Sequence, residues 1–454
     1  NIDQLATWLR SIQQRPLEVI TENHRPVPLH ILFYCQRKIM DGVKTLQKEG
    51  YYDRSHWKLS NREKHRGVRL PPSNPNRLDQ LLIHLRNRER LPVIYFVFGR
   101  KRAQELAWEA APYDFLNEQE RKQIKDLFQS LLERYDLTEE NSAVAMRPLI
   151  EQGIAYHHAG MLPTLKEIIE QLFTSRLIKV IFTTETFALG INMPARSVVL
   201  DELEKFYGQG FRTLTTRDFY QMAGRAGRRG LDTEGFVYVR VLPHQIPYQD
   251  VERVIYGKPE SVKSQLNAAY ATLLNLYTDL KKNLLEIYPK TFHYFQSPHK
   301  KQREAYRLIE RKLELLEDLG YIHPQGLTGK GEFAASIFGY ELMLSEMHTD
   351  GILNSLNEVQ LTILLSSLVF EPRKGAQMPR IPRVHEDLVK GVEHYARLIH
   401  RKEFKYHIQP YIKFPHFHLS RAVEAWTQQA EFVEIFEYTN ADEGEIVRHM
   451  RMVI

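Results

Sequence analysis

One cysteine, Cys35, stands among 454 residues, so no disulfide can form within the chain and a zinc site built on several thiolates is excluded. A reducing, cytoplasmic setting is expected from that usage. No run of about 18 apolar residues occurs, and no membrane partner is expected. The opening Asn1-Ile2-Asp3-Gln4 carries neither a methionine nor the basic and apolar regions of a leader, and a piece of a longer or processed protein is expected. No Gly-x-x-x-x-Gly-Lys-[Ser/Thr] run exists: Thr328-Gly329-Lys330-Gly331 lacks both the earlier glycine and the following hydroxyl. An Asp-Glu-x-His run is missing too.

What is present reads as globular protein, with 43% hydrophobic and 26% charged residues. The length predicts about three domains. A net charge of +6 and a pI near 9.0 favour a polyanionic partner without demanding one.

Pro26 and Pro28 forbid a helix, and residues 21–30 read as a linker. Residues 36–76 read as a charged, solvated excursion whose basic run, residues 61–69, carries no assigned site. From Leu91 the texture changes. Val93-Ile94-Tyr95-Phe96-Val97-Phe98 is a short apolar, β-branched and aromatic run, which predicts a strand buried on both faces, and a helix from Ala103 to Ala111 follows. Residues 153–156, 179–182, 197–200 and 236–239 repeat the pattern, and alternation of strands with helices predicts a parallel sheet covered on both faces. Ligands of such sheets sit beyond the carboxyl ends of the strands. The loops at Arg100, His157 and Thr184 should therefore share one rim, and the arginine run described next is expected to join them. After residue 239 the chain predicts helices over 261–280 and 302–319, a small hairpin over 321–328, and further helices over 333–372 and 383–454.

The run Gln221-Met222-Ala223-Gly224-Arg225-Ala226-Gly227-Arg228-Arg229-Gly230 stands out. Guanidinium forks match phosphate oxygens, and small residues between them admit a close ligand. On a helix, Arg225 and Arg228 would project from one face and, with Gln221, could neutralise a transferring phosphoryl group. A solvated basic helix would use the same residues. His157 and His158 fit either a satisfied core pair or metal ligands, although no other histidine or carboxylate cluster sits at metal-ligand spacing nearby.

With Thr184-Glu185-Thr186-Phe187-Ala188-Leu189-Gly190-Ile191-Asn192-Met193-Pro194 and Tyr156-His157-His158-Ala159-Gly160-Met161 in the same order, residues 153–235 resemble the second motor domain of superfamily-two DExH-box helicases, in particular the superkiller and antiviral group of RNA helicases. The resemblance implies a multidomain chain: a tail of the first motor domain and linker (1–30), an α/β RecA-like parallel-sheet domain (31–255), a winged helix (256–332) and an all-α helical domain (333–454). It implies Arg225 and Arg228 as arginine fingers with Gln221, and Gly190 and Asn192 beside the nucleotide. Thr184, Thr186, His158, Ala159, Gly160 and Arg100 would touch the nucleic-acid backbone. Phe206, Tyr207 and Phe211, around a Gly208-Gln209-Gly210 turn, would stack on bases, although a hairpin packed on its own domain fits equally. Arg448 and Arg451, one turn apart, could meet phosphates or be solvated.

The implied activity is ATP-dependent translocation on RNA or single-stranded DNA, 3′ to 5′. ATP and Mg2+ would need the N-terminal motor domain of the same protein, because the phosphate-cradling lysine and the metal-binding acid are not in these residues. The short passage from Thr291 to Gln302 leaves no room for the arch carried by exosome-associated relatives. A DNA repair-type helicase, and a non-catalytic nucleic-acid-binding subunit lending arginines to a partner ATPase, are the competing readings.

Overall fold

The computed structural model describes residues 2–13, 15–22, 24–51, 76–190, 193–207, 210–243, 245–373 and 375–453. These form two compact units, residues 21–260 and residues 1–20 with 261–454. The basic run at 61–69 lies outside the described residues.

In the unit 21–260 the described residues build a seven-stranded sheet. Its strands are β1 (Leu29–Cys35), β2 (Lys38–Asp41), β3 (Val93–Phe96), β4 (Ile154–His157), β5 (Val180–Thr183), β6 (Ser197–Leu200) and β9 (Gly235–Arg240), in the order β2-β1-β9-β6-β3-β5-β4. A separate two-stranded ribbon pairs β7 (Glu204–Phe206) with β8 (Phe211–Thr213). Every sheet pair is parallel except β1 with β2. All four residues of β3, of β4, of β5 and of β6 are buried, because helices cover both faces of a parallel sheet. Each fully buried large apolar side chain contributes about 1.5–3 kcal/mol of transfer energy. Phe96 pairs with Thr183 and Leu200, and Thr183 pairs with His157, so these strands end in one row and their following loops stand side by side.

Two strands differ from the sequence expectation. Leu29, inside the expected linker, opens β1, and β2 occupies the start of the expected charged excursion. The prolines forbid a helix but not a strand: Pro28 needs no amide of its own for its carbonyl to accept from Gly235 N at 2.8 Å, which starts the β1–β9 pairing.

In the other unit, the helix Ile2–Ile12 packs on residues near 290. Trp8 lies 5.0 Å from Phe292 and donates from Nε1 to the Lys290 carbonyl at 3.0 Å. The contacts thus join residues 1–20 to 261–454, whereas sequence reading had grouped them with a preceding domain. The helix expected over 261–280 begins only at Tyr270. Residues 261–269 form neither helix nor strand, and distant groups satisfy part of their backbone: Gln296 accepts from Ser264 N at 2.9 Å, and Lys312 donates to the Ala268 carbonyl at 2.6 Å. Helices Tyr270–Leu280 and His299–Asp318, the hairpin Ile322–His323 with Gly326–Leu327, and helix Gly329–Ala335 follow in order. They share one continuous core with the later helices, Tyr270, Tyr321, Leu342, Val392 and Ile446 all belonging to it. Among the described residues no separate core begins at residue 333. The fully buried Tyr321 spans the expected boundary, donating to the Leu342 carbonyl at 3.1 Å and to Glu346 at 2.8 Å.

Candidate nucleic-acid and phosphate sites

Beyond the carboxyl ends of β3, β4 and β5, the loops enclose a cleft of about 220 Å³. Arg100, Ala159, Thr184 and Thr186, all picked from sequence, line it together with Lys205 and Phe206. Thr183 Oγ1 donates to the His157 carbonyl at 2.8 Å, which fastens the β5 loop beside the β4 loop. The hydroxyls of Thr184 and Thr186 stand 3.0 Å apart. Arg100 opens the helix Arg100–Ala110, which has no side-chain N-cap bond, so its first amides suit an anion. Hydroxyls, a guanidinium and helix amides can hold phosphate without reading bases.

His158 and Gly160 do not line the cleft. His158 is buried, stacked on Tyr156 at 5.7 Å, with its Nε2 3.0 Å from Gln104 Nε2. Its Nδ1 accepts from Gly160 N at 3.2 Å, so that amide is spent inside the loop. Of the three, Ala159 alone lines the cleft. His157 is also buried, its Nε2 2.9 Å from Glu170 Oε1. Among the described residues no group of three His, Cys, Asp or Glu could hold a metal ion.

The β7–β8 ribbon stands at the same edge. Phe206 and Phe211 are 56% and 72% exposed with ring centroids 5.6 Å apart, so they form an accessible aromatic pair rather than part of the core. Residues 208 and 209 of its turn lie outside the described residues. Below the pair, Lys205 bonds Glu185 of the β5 loop and lies 3.4 Å from Asp218 on helix Thr216–Ala223, while Tyr207 donates to Asp218 at 2.7 Å. Burial, with the Asp218 carboxylate beside it, pushes the Tyr207 hydroxyl well above the usual tyrosine range, so it remains a donor. Burial also works to raise Asp218, but the bonds from Tyr207 and Lys205 outweigh it and hold the carboxyl below its usual value.

The arginine run is placed differently from the expectation. Helix Thr216–Ala223 is capped by Thr215 Oγ1 and stops at Ala223, so Arg225 and Arg228 do not share a helical face. Gly224 and Gly227 turn the chain under the sheet, where Ala226 bridges Ala195 and Gly227 N donates to the Ala195 carbonyl at 2.8 Å. Gly227 has φ +84, and a Cβ there would meet Val27 Cγ1 at 2.5 Å; only glycine fits. Arg25 clamps the turn, donating to the carbonyls of Ala226 at 2.6 Å and Gly224 at 3.1 Å. Ala195 and Gly235 immediately precede or open β6 and β9, so the run lies at the amino ends of the strands, opposite the loop rim. It does not join that rim directly.

Arg228 is gripped by Asp232. Its backbone N–H donates at 2.8 Å, and Nε and Nη2 form a fork at 2.7 Å each, leaving Nη1 as the donor that Asp232 does not use. Burial would raise the Asp232 carboxyl, yet the hydrogen bonds from Arg228 prevail and lower it. Arg228 and Arg229 line a cavity of about 250 Å³ with Arg176, Pro92 and Pro194. Gln221 is exposed on its helix. Arg225 bonds the carbonyl of Ala188 in the short helix Phe187–Gly190, which Gly190 closes; Asn192 lies outside the described residues. Sequence reading missed Arg25, Arg176, Lys205 and Asp218, whose roles depend on distant partners. Asp232 was legible in principle, four residues after Arg228.

Two family models match this chain in order: "Helicase conserved C-terminal domain" over residues 133–230 and "DSHCT (NUC185) domain" over residues 325–454. The human Superkiller complex protein 2 is 33% identical over 350 residues, covering 73% of this chain and 28% of that protein. The antiviral helicase SKI2 of Saccharomyces cerevisiae is 36% identical over 245 residues, covering 52% of this chain and 19% of that protein. The human exosome RNA helicase MTR4 is 31% identical over 312 residues, covering 65% and 29%. The chain therefore spans less than a third of the length of each of these relatives. Among the described residues no helix is long and apolar enough to cross a membrane. A mostly parallel sheet with threonine-lined strand ends, a glycine-turned arginine run at their amino ends, and these matches together make the chain a member of the superkiller-type superfamily-two helicases.

Proposed function

We propose that this chain supplies the second motor domain, a winged helix within residues 256–332 and the helical region of an ATP-dependent RNA helicase that moves 3′ to 5′. One observation carries the reading. Residues 184–195 run from the rim threonines, through the short helix whose Ala188 carbonyl holds Arg225, to Ala195, which bridges Ala226. This stretch of chain, of which residues 191 and 192 lie outside the described residues, thus links the strand-end cleft at one end of the sheet to the guanidiniums at the other. ATP, with Mg2+ held by a first motor domain, supplies the phosphoanhydride whose cleavage drives the cycle. The residues here do the rest. Arg228, oriented by Asp232, and Arg225 present donors to developing phosphate charge. Thr184, Thr186 and Arg100 hold the backbone of one strand, and a displacement of the threonines reaches Arg225 through residues 187–190.

Unwinding of matched RNA and DNA duplexes by the full-length protein tests the reading. Stronger activity on RNA is expected, since the 2′-hydroxyl is what distinguishes the polymers. Equal activity on both would overturn the RNA assignment, and no ATP-dependent unwinding of either would overturn the helicase.

A further inference from the structure

The helix Glu386–Lys405 buries Leu388, Val392, Ala396, Ile399 and Glu403 along one side. At about 100° per residue the side chains of Arg397, Arg401, Phe404 and Lys405 fall on the opposite side, and all four are exposed. Ordinary solvated helices also carry charge, so the question is what this face has beyond charge.

Three features set it apart. First, the charge is one-signed: between residues 394 and 405 the sole carboxylate is Glu403, which is buried and bonded by Tyr270 at 3.0 Å and by Ile412 N at 2.8 Å. The nearest acids are Glu393, 3.1 Å from Arg397, and Asp318, 3.2 Å from Lys402 and 3.7 Å from Lys405. Four cations thus meet two carboxylates, and Arg401 has no acidic partner among the described residues. Second, the side chains of Arg397, Leu398, Arg401 and Lys405 border a cleft of about 310 Å³. Third, aromatic rings flank the cations. Phe404 is 68% exposed, and on its far side His400 packs against Tyr411 at 5.4 Å and Phe414 at 4.6 Å, both of which reach solvent.

A row of cations beside a row of accessible rings is the pairing that single-stranded nucleic acid rewards, phosphates meeting the first and bases the second. Arg397, Arg401 and Lys405 recur every fourth residue, about 6 Å apart along the helix axis, in line to follow one extended strand. An acidic peptide would use the cations but gain little from the rings.

We propose that this face of helix Glu386–Lys405 is a second single-stranded RNA contact, carried by the unit that holds residues 261–454 and distinct from the strand-end cleft. Arg397, Arg401 and Lys405 bind phosphates, and Phe404 stacks on a base. The inference rests on the reading of the chain as an RNA helicase.

The test is a salt titration of the 454-residue chain binding a fluorescein-labelled oligo(U) of about 20 nucleotides, followed by anisotropy. Arg397→Gln with Arg401→Gln should flatten the slope of log K against log salt by about 1.4, at about 0.7 per phosphate contact on a single strand. Phe404→Ala should weaken binding about fivefold or more at fixed salt. The cleft variant Arg100→Gln should flatten the slope by about 0.7 on its own and add to the double variant. Thermal melts check folding, and Phe404→Ala, at an exposed site, decides the matter should the double variant fail to fold. A folded double variant with the wild-type slope, or Phe404→Ala with wild-type affinity, overturns this site alone, and so does oligo-glutamate of matched charge competing as well as oligo(U). Wild-type chain that does not bind oligo(U) even at low salt overturns both this site and the helicase reading.

Discussion

Replacing Arg228 separates its grip on Asp232 from the arginine-finger role proposed for it. Asp232, its side chain 3% exposed, accepts three hydrogen bonds from Arg228 at 2.7–2.8 Å. Arg228→Ala removes two of them and leaves a carboxylate without its cation. The expected cost is about 2–3 kcal/mol, below the range for a fully buried pair because the guanidinium retains some solvent. In the full-length protein the same change should lower ATP turnover by about 10³-fold, or about 4 kcal/mol of transition-state stabilisation, with single-strand binding nearly intact. Arg228→Lys should be almost as poor, since an ammonium cannot make the fork. Adding Asp232→Asn to Arg228→Ala should restore stability to within about 1 kcal/mol, because no unpaired charge remains, while turnover stays low. Denaturant unfolding and steady-state ATPase on the four members of this cycle read the two effects apart. If turnover returns together with stability in the double variant, Arg228 merely holds the turn and the arginine-finger reasoning is refuted.

Gly227→Ala should destabilise the unit 21–260 by about 2 kcal/mol or more, seen in urea melts, since φ +84 and Val27 Cγ1 both oppose a Cβ. Tyr321→Phe should cost about 1–3 kcal/mol of unfolding free energy in the other unit by leaving Glu346 and the Leu342 carbonyl short of a buried donor. Because the folded Asp232 pKa lies below its unfolded value of about 3.9, the stability it lends is complete above that pH and is lost as pH falls through the folded value; Asp232→Asn should flatten this acid limb in pH-dependent melts. Phe211→Ala, at a 72% exposed site, should leave stability within about 0.5 kcal/mol but slow duplex unwinding by the full-length protein, and an unchanged rate would mean the ring pair touches no base.

Five of the seven strands, β3, β4, β5, β6 and β9, were readable because burial on both faces writes itself locally as β-branched and aromatic runs, Val93–Phe96 being the clearest. Strand β1 was not, because Pro26 and Pro28 signal a connector equally well and only pairing with β9 shows that the chain enters the sheet. The helix Glu118–Arg134 carried a local signal that went unread, the capping box of Asn117 with Glu120. That the loops at Arg100, His157 and Thr184 share a rim was legible because each follows a strand end, whereas Thr184, Thr186 and Ala159 as its contact residues came from the motif resemblance. Whether a loop residue faces outward is a different matter: His158 turns in because Tyr156 and Gln104 offer it partners that no spacing rule reveals.

By itself, then, the order of residues determined the strand-and-helix alternation, the threonines at strand ends and the glycine-spaced arginine run, since these depend on neighbours within a few positions. Tertiary structure decided that Arg225 and Arg228 lie at the amino ends of the strands, that Lys205 ties Glu185 to Asp218, and that residues 270–450 share one core. Those outcomes rest on contacts between residues tens to hundreds of positions apart, whose energies exist only once the chain has closed on itself.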